Sequence, residues 1–529
     1  MAVITGVARM LSERACDSSE RASVAVGRDG TARTWRELAD AASEWSARLR
    51  ACAPAGARVG IQLGDPLDFV SVYLAGLSAA MVVVPLSTEL SCYERAAKIE
   101  GFGVRLLVTD VADFDLAAVQ AGVRPVAEAD GLLIARVAQA ASTASAASAT
   151  SAASATSAAR VAEADEGRPQ LPSDGSGGVL LSTSGTTGAA KGVLLDERKL
   201  LHTATAIANH HRITAADIGY CPLPLAHVNA QVVGVLTALV SGGSLVVDSG
   251  FHRDHWDVVA AHRATWVNSV PAILGILSQL PPPSDEVRSR VRFARSASAP
   301  LPVAVLEAFE ARAGIGVLET YGMTEAASQI TANPVDASQR KPGSVGQPVG
   351  VDLRIVDDAG RDCPPDVEGM VEIRGSSVVD SYELAGGGLL AAAGADGWLS
   401  TGDVGRRDPD GFVFLAGRRD DVINRGGQKL HPRDVEEVLM RHSAVAEVIV
   451  VGRPHVTLGE EPVAFVRLED GQDGERVCCE LDELAERELA RYRRPVATIV
   501  VDGFEKGATG KTRRSGLRVA AAQTAVETG

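Results

Sequence analysis

Clustered cations, paired cysteines and long apolar runs are all scarce in this chain of 529 residues, whose 52 Lys and Arg against 67 Asp and Glu leave a formal charge of −15. Nucleic acids and anionic membranes are bound mainly by clustered cations that neutralise phosphates, so an acidic chain without a long Lys/Arg block is not built for either. The seven cysteines (Cys16, Cys52, Cys92, Cys221, Cys363, Cys478 and Cys479) are odd in number and scattered, with no CxxC pair and no Cys/His cluster at zinc spacing. They exclude a disulfide framework and fit reduced thiols in a cytoplasmic setting. The opening MAVITGVARMLSERACDSSE has only a brief apolar patch broken by Arg9, so no export signal is expected. One stretch, residues 69–86, runs without a charge and touches the lower length limit of a membrane span. Their small residues and the switch to Met81-Val82-Val83-Val84 before Pro85 predict a buried helix feeding a buried strand instead.

What is present is globular: 46% hydrophobic and 22% charged residues, with aromatics at 4%. The length suggests roughly three to four units of ~150 residues. From Thr34 the run WRELADAASEWSARLR has the pattern of an amphipathic helix, and ARVGIQL follows as a strand. The alternation recurs through residues 68–86, 104–109, 200–210, 244–248 and 265–269. This is the sequence form of a parallel sheet covered by helices, so the fold class is α/β. Residues 140–159 contain only Ala, Ser and Thr, with SAASAT repeated, and are expected to be a low-complexity insertion whose small side chains cannot offset the entropy of ordering. A boundary is expected near 418–421. Before it, 351–414 reads as short strands broken by DDAG, GADG and DPDG; after it, helix and strand pieces suit a small α+β domain of ~110 residues.

The richest run is STSGTTGAAKG, residues 182–192, directly after the apolar strand 178–181. Glycines admit a polyphosphate to the backbone, hydroxyls donate, and Lys191 adds a cation, so a phosphate cradle is expected. It is not a Walker loop: Lys191 is followed by Gly192, and the only GKT, at 510–512, has Glu505 where the first glycine belongs. In YGMTE, Thr324 offers a hydroxyl and Glu325 a hard carboxylate suited to magnesium. Asp403, after a glycine, has the acceptors to take both hydroxyls of a ribose.

With PLPLAHVNAQ (222–231), RSASAPLP (295–302), ETYGMTEA (319–326), STGD (400–403), GRRDDVINRGGQKLHPRDVEE (417–437) and GATGKTRR (507–514) added in that order, the chain resembles the adenylate-forming superfamily of acyl-CoA synthetases, adenylation domains and luciferases over nearly its whole length. The resemblance implies a large N-terminal AMP-binding domain, 1–418, of helix-covered sheets with a small β-barrel-like part, and a mobile α+β lid, 419–529. It implies ATP, Mg2+ and coenzyme A as cofactors, a small-molecule carboxylic acid as substrate, and activation as acyl-AMP before transfer to the thiol. Acceptors of the runner-up kind are a free-standing carrier protein or an amine, including nitrite-activating diazotisation; the alternative of another class is an inactive nucleotide-binding protein.

The nucleotide residues implied are Thr183, Ser184, Gly185, Thr186, Thr187, Gly188 and Lys191 for phosphate, Ser298, Ala299 and Pro300 along the adenine, Asp403 and Arg418 at the sugar, and Tyr321 and Gly322 as further nucleotide-binding residues. Lys511 is placed against the α-phosphate and the attacking carboxylate, with Thr324, Glu325 and His227 as its catalytic company and Glu325 as the metal ligand. His227, Asn268, Ser296, Ala297 and Met323 fall where relatives line the acyl pocket. That lining is small and partly polar and favours a compact acid over a long fatty chain. Asp420 takes the hinge position, and Gly426 and Gly427 flank a pantetheine tunnel. Ala297 and Ser298 stand where Gly and Ala are commoner, and Ala190 and Glu505 where proline is, changes of loop stiffness more than of chemistry.

Overall fold

The computed structural model describes residues 6–16, 22–26, 30–110, 123–129, 131–137, 176–183, 191–505, 512 and 514–524. The expected insertion at 140–159 lies outside them, as do Ser184, Gly185, Thr186, Thr187, Gly188, Ala190 and Lys511. The chain forms two compact units, neither contiguous in sequence: residues 1–268, 322–329 and 375–399, and residues 269–321, 330–374 and 400–529.

The first unit holds a nine-stranded sheet ordered Leu389–Ala391, Ser381–Leu384, Lys191–Asp196, Gly178–Thr183, Val82–Pro85, Arg58–Gln62, Leu106–Asp110, Leu132–Val137 and Val123–Ala129. Its central members, from Gly178–Thr183 to Leu106–Asp110, are parallel, and its flanks are antiparallel. A second set of strands runs Trp266–Ser269, Ile218–Cys221, Ser244–Val247, Ala22–Val26 and Ala32–Thr34. The amphipathic run after Thr34 is a helix, Trp35–Cys52, started by a capping box in which the Thr34 hydroxyl accepts from the Glu37 N–H and the Glu37 carboxylate accepts from the Thr34 N–H. The uncharged stretch divides as expected, into the helix Pro66–Ser78 and the strand Val82–Pro85, buried almost throughout. No helix among the described residues is long and apolar enough to cross a membrane.

In the second unit, Ala294–Ser296 pairs in parallel with Val317–Tyr321, which continues antiparallel to Thr331–Ala332 and then Gln347–Pro348. The turn-rich region forms a four-stranded sheet, Asp352–Val356, Gly369–Arg374, Leu399–Arg407 and Val413–Arg418. Beyond it, strands Ile423–Arg425, Gln428–Leu430, Val445–His455, Gly459–Leu468 and Ala497–Val500 share a sheet, covered by the helices Pro432–Leu439 and Gly474–Glu488. Their apolar faces close a core of their own around Val435, Leu439, Val450, Val466, Val477 and Leu481. The 3.6-residue spacing of apolar positions in these helices is what allows one face each to be buried this way.

One buried histidine gives this fold a built-in acid sensitivity. His255, at the start of the helix His255–Ala261, is 0% exposed, packed by the rings of Tyr220, Phe251 and Trp256, and neither ring nitrogen has a hydrogen-bond partner among the described residues. Burial, opposed weakly by Asp254, lowers its pKa to about 3. The folded chain therefore holds the imidazole neutral where the unfolded chain would protonate it. Its contribution is complete above pH ~6.5 and is lost as pH falls towards ~3. His255→Phe is expected to flatten the stability profile in that window. Between pH 7.5 and pH 5 the parent should lose roughly 2 kcal/mol through this histidine and the variant should not, so the stability difference, variant minus parent, should rise by that amount, read from urea midpoints of both proteins at the two pH values.

Candidate active site

In the first unit, the strand Gly178–Thr183 runs antiparallel to Lys191–Asp196 with Thr183 opposite Lys191, so the two described ends of the expected phosphate loop face each other. At its root the Lys98 ammonium donates to the Ser182 hydroxyl at 2.5 Å. Lys98 was invisible to motif reasoning, because it comes from the separate helix Cys92–Gly101; burial lowers its pKa. Gly192 corrects one detail. A side chain there would press on Phe102 at 2.9 Å, Leu180 at 3.0 Å and Glu383 at 3.3 Å, so this glycine serves packing within the sheet rather than access for phosphate.

The YGMTE loop is a strained turn. Residues Thr324–Ala326 make one turn of 3-10 helix, closed by Ala327 and Ser328 at φ 53° and 100°, conformations that cost side-chain-bearing residues energy and collect at functional sites. Gly322 is required because a Cβ would lie 1.4 Å from the Ser328 carbonyl oxygen as the loop returns. The turn is tied down by the Val379 N–H, which donates to the Glu325 carbonyl at 2.9 Å, and by Ser328 N–H to Met323 O at 3.1 Å. Glu325 is thereby held at 8% exposure, and its Oε1 accepts from the Tyr382 hydroxyl at 3.1 Å. The ring of the same tyrosine lies under the Lys191 ammonium, 5.2 Å from the centroid. Glu325 and Lys191, singled out separately by sequence, are thus joined through a residue that sequence did not single out.

His227 sits on a turn in which its N–H donates to Pro224 O at 3.1 Å and its carbonyl accepts from Gln231 N–H at 3.3 Å. The Gln231 amide clamps that turn by donating to Leu225 O at 2.8 Å. A π-helix, Ala230–Leu236, follows at once, a rare arrangement frequent at functional sites and unreadable from a 3.6-residue period. Asn268, 0% exposed, donates its amide to Asn229 Oδ1 at 3.0 Å and to Cys221 Sγ at 3.5 Å, which builds a buried polar cluster behind the His227 turn. Asn229 and Cys221 are further residues that the motifs alone did not assign.

In the second unit, Asp403 and Arg418 are directly opposed in the antiparallel pair Leu399–Arg407 and Val413–Arg418. Arg418 Nε meets Asp403 Oδ1 at 3.1 Å, and Arg418 Nη1 donates to Thr401 O at 2.6 Å. The Tyr321 hydroxyl donates to the other Asp403 oxygen; burial and then this carboxylate raise the phenol well above its usual pKa. Three of the expected nucleotide residues, Tyr321, Asp403 and Arg418, are therefore one hydrogen-bonded group. Two residues before Tyr321, the buried Glu319 has an Oε2 without a hydrogen-bond partner among the described residues, and burial pushes its carboxyl up to about 8 against the pull of Arg433. Ser296 ends the buried strand Ala294–Ser296, its carbonyl accepting from the Thr320 hydroxyl at 3.0 Å, and the buried Ala297 follows directly. Ser298 turns the chain at φ 73°, before the exposed Ala299 and Pro300.

Asp420 lies in the 3-10 turn Arg419–Asp421, and its carbonyl accepts from Arg518 at 3.0 Å. Gly426 and Gly427, with φ 61° and 86°, are the two-residue loop of the hairpin pairing Arg425 with Gln428. Both central residues of such a turn need positive φ, so the hairpin accounts for this glycine pair.

Magnesium takes few protein carboxylates and shares substrate phosphates. Among the described residues no three His, Cys, Asp or Glu side chains gather into a metal cage. Glu325, a single hard carboxylate with one oxygen bonded to Tyr382 and a threonine hydroxyl next to it in sequence, fits that mode of binding.

The first unit thus holds a cation at the root of the Ser/Thr/Gly run and a solitary buried carboxylate, and the second unit an Asp–Arg–Tyr group. The model of the AMP-binding enzyme family matches residues 12–383, and that of the AMP-binding enzyme C-terminal domain matches 434–511. The chain belongs to this family. It is similar to the sulfoacetate–CoA ligase of Cupriavidus necator, 39% identical over 65% of this chain and 67% of that protein. It is also similar to the oxalate–CoA ligase of Saccharomyces cerevisiae, 34% identical over 64% of this chain and 62% of that protein, so the matched span is less than two thirds of the yeast enzyme. Among solved structures, the O-succinylbenzoate coenzyme A synthetase of Bacillus subtilis in complex with ATP and magnesium ion aligns with a TM-score of 0.77 and 26% identity, covering 96% of this chain and 98% of that one.

Proposed function

We propose that this protein activates a short carboxylic acid with a second polar or anionic group and transfers it to coenzyme A. The reaction class is that of an AMP-forming acid–thiol ligase using ATP, Mg2+ and coenzyme A: a carboxylate attacks the α-phosphate, pyrophosphate leaves, and the thiol then displaces AMP. The observation that carries the nucleotide half is the Asp403–Arg418–Tyr321 group, which offers a rigid carboxylate to paired sugar hydroxyls. The acid class is supported by relatives named for sulfoacetate and oxalate, and by the buried Asn268–Asn229–Cys221 cluster behind His227. Both argue for a polar acyl pocket, to which we also assign Ser296, Ala297 and Met323. The relatives are CoA ligases, which favours coenzyme A over a carrier protein or an amine.

Within this reading, Lys191, Thr324 and the 183–188 run hold phosphates and Glu325 holds the metal. Magnesium supplies charge neutralisation on the phosphates when bound. Residues 419–529, with their own core, act as the lid: Asp420 is the hinge, and Gly426 and Gly427 line the thiol path in the second half-reaction. Lys511→Ala is expected to lower ATP–pyrophosphate exchange roughly 10²–10³-fold, because a cation meeting charge that develops only in the transition state acts on the rate. Its melting temperature should be unchanged, and undiminished exchange would remove the assigned role.

The test of the whole reading is a panel of acids, including sulfoacetate, oxalate, malonate, acetate and a long-chain fatty acid, assayed for pyrophosphate exchange and, with coenzyme A, for thioester. Short acids bearing a second polar group should lead in both assays. Preference for the fatty acid would overturn the acid class; orthophosphate release without AMP would overturn the reaction.

A further inference from the structure

The Tyr382 contacts carry a role beyond holding the fold. Its strand, Ser381–Leu384, lies at the margin of the nine-stranded sheet, with Glu383 opposite Gly192 and Leu384 opposite Lys191. Side chains alternate along a strand, so Glu383 and Tyr382 point to opposite faces. On its face, Glu383 is gripped by Arg58; on the other, Tyr382 offers its hydroxyl to Glu325 at 3.1 Å and its ring to the Lys191 ammonium at 5.2 Å. One aromatic side chain therefore touches both a carboxylate and an ammonium of opposite charge.

Such a pair, if left to itself in a half-buried site, closes into a salt bridge, because Coulomb attraction strengthens as water is excluded. A carboxylate neutralised that way is a poor magnesium ligand. A phenol ring satisfies the ammonium through its negative face, while its hydroxyl occupies a single carboxylate oxygen. The second oxygen stays available in a fixed orientation, as outer partners of metal ligands generally arrange.

We propose that Tyr382 is a positioning residue that acts as an electrostatic spacer: it holds Lys191 and Glu325 apart, so that the lysine faces phosphate and the carboxylate faces the cation. This rests on the assignment of Glu325 as the metal ligand, and the test separates the two claims.

The measurement is ATP affinity by isothermal titration with Mg2+ and with EDTA; the ratio of the two is the magnesium increment. Tyr382→Phe keeps the spacer and loses the hydroxyl, and should cut the increment roughly 10-fold without changing affinity in EDTA. Tyr382→Leu removes both and should cut it on the order of 100-fold. Adding Lys191→Met to Tyr382→Leu should restore most of the increment, because the competing ammonium is gone. A merely structural tyrosine would give no such recovery. An increment unchanged in both tyrosine variants, or no recovery on removing Lys191, overturns the spacer. If Tyr382→Leu melts early, the Phe variant decides, alone and with Glu325→Gln: the hydroxyl effect must vanish once the carboxylate is gone, and its persistence counts against the proposal. Should Glu325→Gln alone leave the increment intact, the metal-ligand assignment fails instead.

Discussion

Glu325→Gln is expected to lower ATP–pyrophosphate exchange roughly 10²–10³-fold, the scale of losing one aimed charge in a preorganised site, with no loss of thermal stability. The reasoning starts from the loop. Gly322 allows the return of the chain at Ser328, the 3-10 turn Thr324–Ala326 sets the direction of the carboxylate, and Val379 N–H fixes its backbone. None of these features depends on the charge. Glutamine has the same shape and keeps an amide oxygen for the Tyr382 hydroxyl, so the turn should survive. Burying a neutral amide also costs less than burying a carboxylate, which is why melting should not fall. What disappears is the hard anionic oxygen that a divalent ion prefers over an amide. Exchange should therefore depend more steeply on Mg2+ in the variant, with part of the lost rate returning at high Mg2+. The outcome that would remove Glu325 from the site is full exchange at an unshifted Mg2+ requirement.

Local physics made much of the fold legible before any coordinates. The capping box at Thr34 and Glu37 involves residues three apart, so a reader of the sequence sees both partners at once. Asp403 and Arg418 are likewise near in sequence, joined by the DPDG turn, and the hairpin places them opposite each other as a cross-strand pair. The parallel strands announced themselves as short apolar runs between helical patterns. What stayed hidden has two physical sources. Tyr382 and Lys98 reach the site from elements far away in the chain, and nothing in their own neighbourhoods distinguishes them from other surface residues. The strained turn after Glu325 and the π-helix after Asn229 break local rules that sequence reading must assume: Ala327 and Ser328 adopt positive φ without being glycine, and Ala230–Leu236 departs from the 3.6-residue period. The glycine pair at 426–427 illustrates the converse, since a hairpin turn demands those residues whatever else they do.

Separating Arg58 from Glu383 should cost the first unit about 3–5 kcal/mol, the range for breaking a buried ion pair and leaving one charge uncompensated. The two residues lie 325 positions apart and are 5% and 1% exposed. Their contact is a fork: Nη1 donates to Oε1 at 2.5 Å and Nη2 to Oε2 at 2.9 Å, while Nη1 also donates to Phe102 O at 2.9 Å. Paired donors of this geometry are among the stronger hydrogen bonds in proteins, yet the pair still bears the desolvation of two charges. The sign therefore depends on what is removed. Arg58→Met strands a buried carboxylate and Glu383→Leu strands a buried guanidinium, and each should shift the denaturation midpoint strongly downward. The double variant strands neither, and should recover most of the loss, short of the unmet Phe102 carbonyl. Activity should follow the same order for a physical reason: Glu383 anchors the marginal strand that carries Tyr382, so loosening it releases the contacts to Glu325 and Lys191. Denaturation curves and exchange rates on the four proteins check both halves. Additive losses in the double variant would mean that the two side chains act independently, and single variants within about 0.5 kcal/mol of the parent, the spread of ordinary surface changes, would remove the pair as the anchor of that strand.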